Sequence, residues 1–152
     1  MLPQRINLIA YSTLAVIICY IDRVNISVAI IPMQEQFGWS DSQVGLIFYS
    51  FYLGYMLKMA LGGYLSDKFG GKRVLGWGVV LWSIFTILTP LAAHNGFFAL
   101  FFIRILMGIG EGVTFPAWHS LYARWIPFNE RTRAIAFTNS GVSIGTIIGS
   151  VS

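Results

Sequence analysis

Five long apolar runs separated by short polar connections dominate this 152-residue chain. They cover roughly 6–31, 43–66, 74–92, 97–122 and 134–152. The first is expected to stop at Pro32, and the fourth to run unbroken to residue 122. A run of about 20 residues crosses a hydrocarbon core of about 30 Å as a helix rising 1.5 Å per residue. Each must be helical, because an isolated strand leaves its backbone groups unpaired in lipid. The expected fold class is therefore an all-α membrane protein.

Composition agrees. Charged residues are 11% of the chain and hydrophobic ones 56%, with a mean hydropathy of +0.69. A soluble domain normally carries about 25% charged residues, so a chain this poor in charge must face lipid or other helices. The net charge of +4 is dispersed between apolar runs and forms no basic stripe, which excludes nucleic acid as a partner. A single cysteine, Cys19, allows no disulfide framework and no Cys/His metal spacing. The N-terminal apolar run is too long for a signal peptide and reads as a retained helix.

Basic residues set an expected orientation. Lys68, Lys72 and Arg73 lie between runs two and three, Arg124, Arg131 and Arg133 between runs four and five, and Arg5 before run one. The connections 32–42 and 93–96 contain no Lys or Arg. The positive-inside rule puts the N-terminus and both basic loops in the cytoplasm, with a bacterial inner membrane as the expected location. The fifth run ends in Gly149-Ser150-Val151-Ser152 without a polar tail, as expected of a partial sequence.

Five ionisable residues fall within the runs: Asp22, Arg23, Lys58, Arg104 and Glu111. A central charge costs roughly 2.5–3.5 kcal/mol on insertion scales, so intramembrane charge is by default a functional-site hypothesis. Arg23 and Arg104 sit at matched depth, roughly 10–12 Å below the outer surface, where two guanidinium groups can converge on one anion. Arginine suits the task because its planar fork grips carboxylate or phosphate through paired hydrogen bonds. Arg104, Gly108 and Glu111 share one helical face. A desolvated carboxylate readily takes up a proton, which makes Glu111 a candidate for proton coupling. A structural ion pair between Arg104 and Glu111 is the competing reading, and Asp22 leans toward structural pairing. Lys58 suits a cavity wall or a packing position equally. His119 is either a hydrogen-bonded packing residue or a relay. Gly141, Gly145 and Gly149 form a small-residue stripe that reads as helix packing.

Between runs two and three the chain reads Gly63-Tyr64-Leu65-Ser66-Asp67-Lys68-Phe69-Gly70-Gly71-Lys72-Arg73. Glycines there permit a tight turn and close helix approach, and Asp67 can cap a helix end and pair with nearby basic residues. This loop resembles the G-x-L-x-D-x-x-G-x-[RK]-[RK] signature of the major facilitator superfamily. The run Tyr20-Ile21-Asp22-Arg23-Val24-Asn25-Ile26-Ser27-Val28-Ala29 is similar to the first helix of its anion:cation symporter branch. So is Arg104-x-x-x-Gly108-x-Gly110-Glu111-Gly112-Val113-Thr114-Phe115-Pro116-Ala117-Trp118-His119, and so is the segment around Arg124-Trp125-Ile126-Pro127 and Glu130-Arg131-Thr132-Arg133.

The resemblance implies helices one to five of a twelve-helix fold, with 1–152 part of the N-terminal half. It also implies secondary active transport of a small organic anion with protons or sodium. Arg23 and Arg104 would contact the anion, Glu111 would couple protons, and Gly63, Asp67, Gly70, Lys72 and Arg73 would form a cytoplasmic gating motif. Lys58 and His119 remain possible contributors. Partners would be the anion, a coupling cation, lipid and further C-terminal helices, with no cofactor. Phe48 stands where the vesicular glutamate carriers of that branch have histidine, which weakens that cargo alone. Inorganic phosphate is the alternative cargo, and a non-transporting membrane interaction protein the alternative class. An enzyme is not expected, since no nucleophile–base pair or metal-ligand spacing occurs.

Overall fold

A computed structural model describes residues 2–151; Met1 and Ser152, the outermost residues of the expected helical half, lie outside the described residues. The described chain is helical almost throughout: α1 (Leu2–Phe37), α2 (Asp41–Phe69), α3 (Gly71–Asn95), α4 (Phe97–Gly112), α5 (Thr114–Trp125) and α6 (Phe128–Val151). Five stretches are long and apolar enough to cross a membrane, with α4 and α5 together forming one of them, Phe97–Trp125.

Helix limits differ from the sequence expectation at several points, two of them at prolines. Helix α1 passes through Pro32 and ends at Phe37. Proline removes one backbone donor, but residues beyond it can still bond one turn back, as Trp39 N–H does to Gln34 O at 3.2 Å. The stop comes at Gly38, whose φ of 66° is the left-handed conformation that ends many helices. The fourth run, expected unbroken, is interrupted at Val113. Pro116 cannot donate to the Gly112 carbonyl and its ring crowds that oxygen. The helix restarts with Ala117 N–H on Val113 O at 3.0 Å.

The chain divides into two compact units. The first holds Met1–Ile30 and Leu121–Ser152, so within it α1 packs on α6. Here the glycine stripe works as packing. A Cβ at Gly145 would lie 2.6 Å from the Ile17 carbonyl oxygen, and one at Gly149 2.9 Å from Val24 Cβ. Small residues let backbones approach this closely. Beside the stripe, the Tyr122 hydroxyl and Thr138 Oγ1 are 2.6 Å apart, and Thr13 Oγ1 donates to Ile9 O at 2.7 Å. Tyr122 and Thr138 are fully buried, so the bond satisfies two hydroxyls that lipid could not. Arg131 donates to Ala123 O at 2.9 Å and Ile126 O at 3.5 Å, tying the end of α5 to the start of α6.

The second unit, Ile31–Ser120, is built on α2, α3 and α4. A capping box starts α2: Ser40 Oγ accepts from Gln43 N–H at 3.3 Å, and Ser40 N–H donates to Gln43 Oε1 at 2.9 Å. Gln34 Nε2 donates to Asp41 Oδ1 at 2.7 Å. Aromatic contacts among Phe37, Trp39, His94 and Phe97 close the same end.

Gly145→Val should destabilise the full-length protein by about 1–3 kcal/mol, the usual cost of overpacking. Gly76→Ala should be neutral or slightly stabilising, because a Cβ at Gly76 meets nothing within 4 Å and alanine favours the helix. Thermal unfolding in detergent measures both. Equal melting points for the two variants would refute the close α1–α6 contact.

Candidate functional site

Helix α4 carries the buried charged residues of the second unit, Arg104 and Glu111 among the described residues, and glycines decide how closely it sits on its neighbours. A Cβ at Gly54 of α2 would collide with the Ile105 carbonyl, and one at Gly108 of α4 with the Phe51 carbonyl. At Gly112 it would lie 2.7 Å from Tyr55 O. Gly110 faces the other neighbour: its Cβ would lie 3.1 Å from Trp82 N, while one at Gly78 of α3 would lie 2.9 Å from Gly110 O. The Gly108-x-Gly110-x-Gly112 run thus seats α4 against α2 and α3 at once.

Arg104 lies on the α2-facing side of α4 and is 3% exposed. Its guanidinium sits 4.9 Å from the centroid of Phe51, and Nη1 donates to Met107 Sδ at 3.3 Å. Met107 Sδ is also 4.0 Å from Thr86 Oγ1. An aromatic face stabilises a desolvated cation by roughly 2 kcal/mol, and the thioether accepts one of its N–H groups. Glu111, two turns further along the same face, is 1% exposed. Next to it, the Thr114 hydroxyl is buried without a hydrogen-bond partner among the described residues. Thr114 was not singled out from the sequence; its place just after the helix break is the signal that marks it.

Arg23 belongs to the first unit. It is half-buried on α1, with its guanidinium 5.0 Å from the Tyr20 ring centroid and its carbonyl accepting from Ser27 Oγ at 3.4 Å. Asp22 beside it is also half-buried. His119 has an exposed side chain stacked on Trp118, with ring centroids 3.8 Å apart.

The signature segment is more helical than expected. Helix α2 runs to Phe69 and α3 starts at Gly71, leaving Gly70 alone between them. With φ at 88°, Gly70 makes the reversal that a side chain would strain. Asp67 therefore lies in the last turn of α2 and caps no helix start; α3 has no side-chain cap. A carboxylate near a helix C-terminus opposes the helix dipole, so the basic residues around it are its natural compensation. Lys68 instead lies over the rings of Tyr64 and Phe69, at 5.8 and 5.6 Å. A Cβ at Gly63 meets nothing within 4 Å, whereas one at Gly62 would lie 3.1 Å from Pro116 Cγ. Close approach thus belongs to Gly62, which the sequence reading passed over.

Lys58 and Arg73 line one cavity of about 410 Å³ formed by α2, α3 and α4. Lys58 thus borders this cavity and also packs against a neighbouring helix. Its Cβ lies on α4, 3.4 Å from where a Cβ at Gly112 would be.

Replacing Phe51 by leucine removes the ring from Arg104 and should destabilise the full-length protein by about 1–2 kcal/mol beyond the packing change. The check is a double-mutant cycle with Arg104→Met read by thermal unfolding. Additive effects would show that the ring does not hold the guanidinium.

Known proteins resemble this chain along nearly all of its length. Residues 12–152 match the family model described as Major Facilitator Superfamily. The "Probable anion transporter 4, chloroplastic" of Oryza sativa subsp. japonica is 48% identical over 97% of this chain and 25% of its own length. Two Arabidopsis thaliana relatives, "Ascorbate transporter, chloroplastic" and "Sodium-dependent phosphate transport protein 1, chloroplastic", are 47% and 46% identical. Each aligns over 97% of this chain, and over 27% and 29% of its own length respectively. This chain thus spans about a quarter of the curated relatives it matches. A crystal structure of a bacterial homolog of the human lysosomal transporter Spinster, inward-facing and occupied, superposes with a TM-score of 0.90. It is 30% identical, over 97% of this chain and 31% of that one, and the inward-facing unoccupied form also scores 0.90.

Proposed function

The chain belongs to the Major Facilitator Superfamily, and on that premise we propose that it is part of a secondary active transporter that carries a small organic anion by alternating access. It is a multi-pass membrane protein of a transporter family, not an enzyme. The observation that carries the proposal is the burial of Arg104 and Glu111 at mid-span on one face of α4. Charges inside a membrane are expensive and mark solute or proton pathways.

In this reading residues 1–152 are part of the N-terminal half, and the remaining helices of a twelve-helix protein supply the rest of the solute path. Arg104 and Arg23 contact the anion during the cycle. Arg104 suits this role because a planar guanidinium grips a carboxylate or phosphate through paired hydrogen bonds. Glu111 takes up and releases the coupling proton, with sodium as the alternative cation. Gly63, Asp67, Gly70, Lys72 and Arg73 latch the cytoplasmic side as the two halves rock. The one-residue reversal at Gly70 supports a latch, since a stiff helical corner transmits motion that a floppy loop would absorb. His119 is left as a packing residue beside Trp118.

The relatives' printed cargoes, ascorbate and phosphate, share negative charge, which fits an arginine-based site. Inorganic phosphate is the second reading, favoured by the phosphate-transporting relative; its sodium dependence supports cation coupling. The basic residues of the 2–3 and 4–5 connections support a cytoplasmic N-terminus. The membrane is a bacterial inner membrane or, following the relatives' names, a plastid membrane.

In the full-length protein, Arg104→Ala and Arg23→Ala should each abolish uptake of labelled ascorbate and phosphate while the protein still inserts. Normal transport by either variant removes that arginine from the site. Mutual competition between the two solutes identifies the cargo. Glu111→Gln should flatten the rise in uptake as external pH falls while leaving substrate binding largely intact. Uptake that keeps its wild-type pH profile in this variant would end the coupling role.

A further inference from the structure

The cavity between α2, α3 and α4 joins two unlike kinds of surface. Its walls are mostly apolar, built from Leu65, Trp77, Leu81 and Ile109, yet Lys58 and Arg73 also line it. Neither cation forms an ion pair among the described residues. Trp77 is 69% exposed, so this side of the unit is open rather than filled by the described chain.

Depth defines what can neutralise these charges. Helix α2, with 29 residues, is about 43 Å long and overshoots a core of about 30 Å by roughly 6 Å at each end. Arg73, in the first turn of α3, then sits at headgroup level. Lys58 lies about 16 Å from the end of α2 at Phe69, roughly 10 Å inside the core. Its side chain spans about 6 Å and can snorkel toward the headgroups only part of the way. A lone solvated anion would not settle against a wall this apolar. An occupant with a negative head and a hydrocarbon tail satisfies both surfaces.

We propose that this cavity is a binding site for an anionic phospholipid of the membrane leaflet that contacts the 2–3 connection. The phosphate is held between Arg73 and Lys58, which reach toward it from opposite sides. One acyl chain lies along Leu65, Leu81 and Ile109. Trp77, about 9 Å along α3 from its start, supplies the amphipathic ring that marks a membrane interface. Arginine at the mouth offers a fork to the phosphate oxygens, and lysine inside draws the headgroup inward. The site is separate from the transported anion's path and puts lipid beside Gly70, Lys72 and Arg73, the proposed latch. Lipid composition would therefore bias the latch.

The test uses the full-length protein reconstituted in phosphatidylcholine vesicles doped with phosphatidylglycerol, extracted and weighed by native mass spectrometry. Phosphatidylglycerol should be retained in preference to phosphatidylcholine. Lys58→Met should weaken that retention about fivefold, the equivalent of roughly 1 kcal/mol per basic side chain near an anionic surface, and Lys58→Arg should preserve it. Equal retention of both lipids, or undiminished retention by Lys58→Met, would overturn the proposal. A photo-cross-linker on a cysteine replacing Trp77 should couple to lipid. Coupling to another segment of the same polypeptide would show that protein fills the cavity, and the lipid site would be lost even if transport proceeds normally.

Discussion

Backbone-to-backbone contact at glycine is the constraint on which the second unit depends. Lipid gives helices no hydrophobic reason to associate, so they cohere through van der Waals packing and buried polar groups. Where Gly54 meets the Ile105 carbonyl and Gly108 meets the Phe51 carbonyl, α2 and α4 approach as closely as helices can. That approach takes Arg104 and Glu111 out of the lipid. With even a methyl group at Gly108, α4 would stand off, and a guanidinium now 3% exposed would have to meet hydrocarbon. The glycines and the charges are two halves of one requirement.

The same principle organises the first unit with different residues. Gly141, Gly145 and Gly149 bring α6 onto α1, and the hydroxyls of Tyr122 and Thr138 bond in the space beside them. The same two helices are also joined by an ion pair, Arg5 Nη1 to Glu130 Oε2 at 3.9 Å, which is partly exposed. The fully buried charges among the described residues lie instead on α4, whose glycines face two neighbours rather than one. A helix gripped on both sides positions its side chains with little freedom.

How far this was legible in the sequence depends on the range of the physics involved. Apolar run length is a local property, and it located the five stretches long and apolar enough to cross a membrane. The α6 stripe was legible because its period of four is visible in one segment. The glycines of α4 are legible as a motif but not as a contact, because Gly108 and Gly112 each meet a partner, Phe51 and Tyr55, 57 residues away in the sequence. The helix limits failed for a different reason. Pro32 was given too much weight, since one missing hydrogen bond does not end a helix that has a glycine stop six residues later. Pro116 was given too little, because its effect falls on the carbonyl of Gly112, in a stretch already weakened by three glycines. The S-x-x-Q box at Ser40–Gln43 was an available signal that went unused.

Asp67 shows how a recognised signature can be right in letters and wrong in local role. In a loop, its carboxylate would stabilise a helix start. In the last turn of α2 it meets the negative end of the dipole, a placement that costs energy and must be compensated electrostatically by other groups. A carboxylate that depends on outside cations for its comfort is a poor permanent anchor and a good reversible one, because moving those cations changes its energy more than moving any apolar contact would. Lys72 and Arg73 are exposed on α3 across the one-residue turn at Gly70. The segment thus joins a one-residue corner to exposed basic residues beside a carboxylate at a helix C-terminus, and Asp67 caps no helix start there.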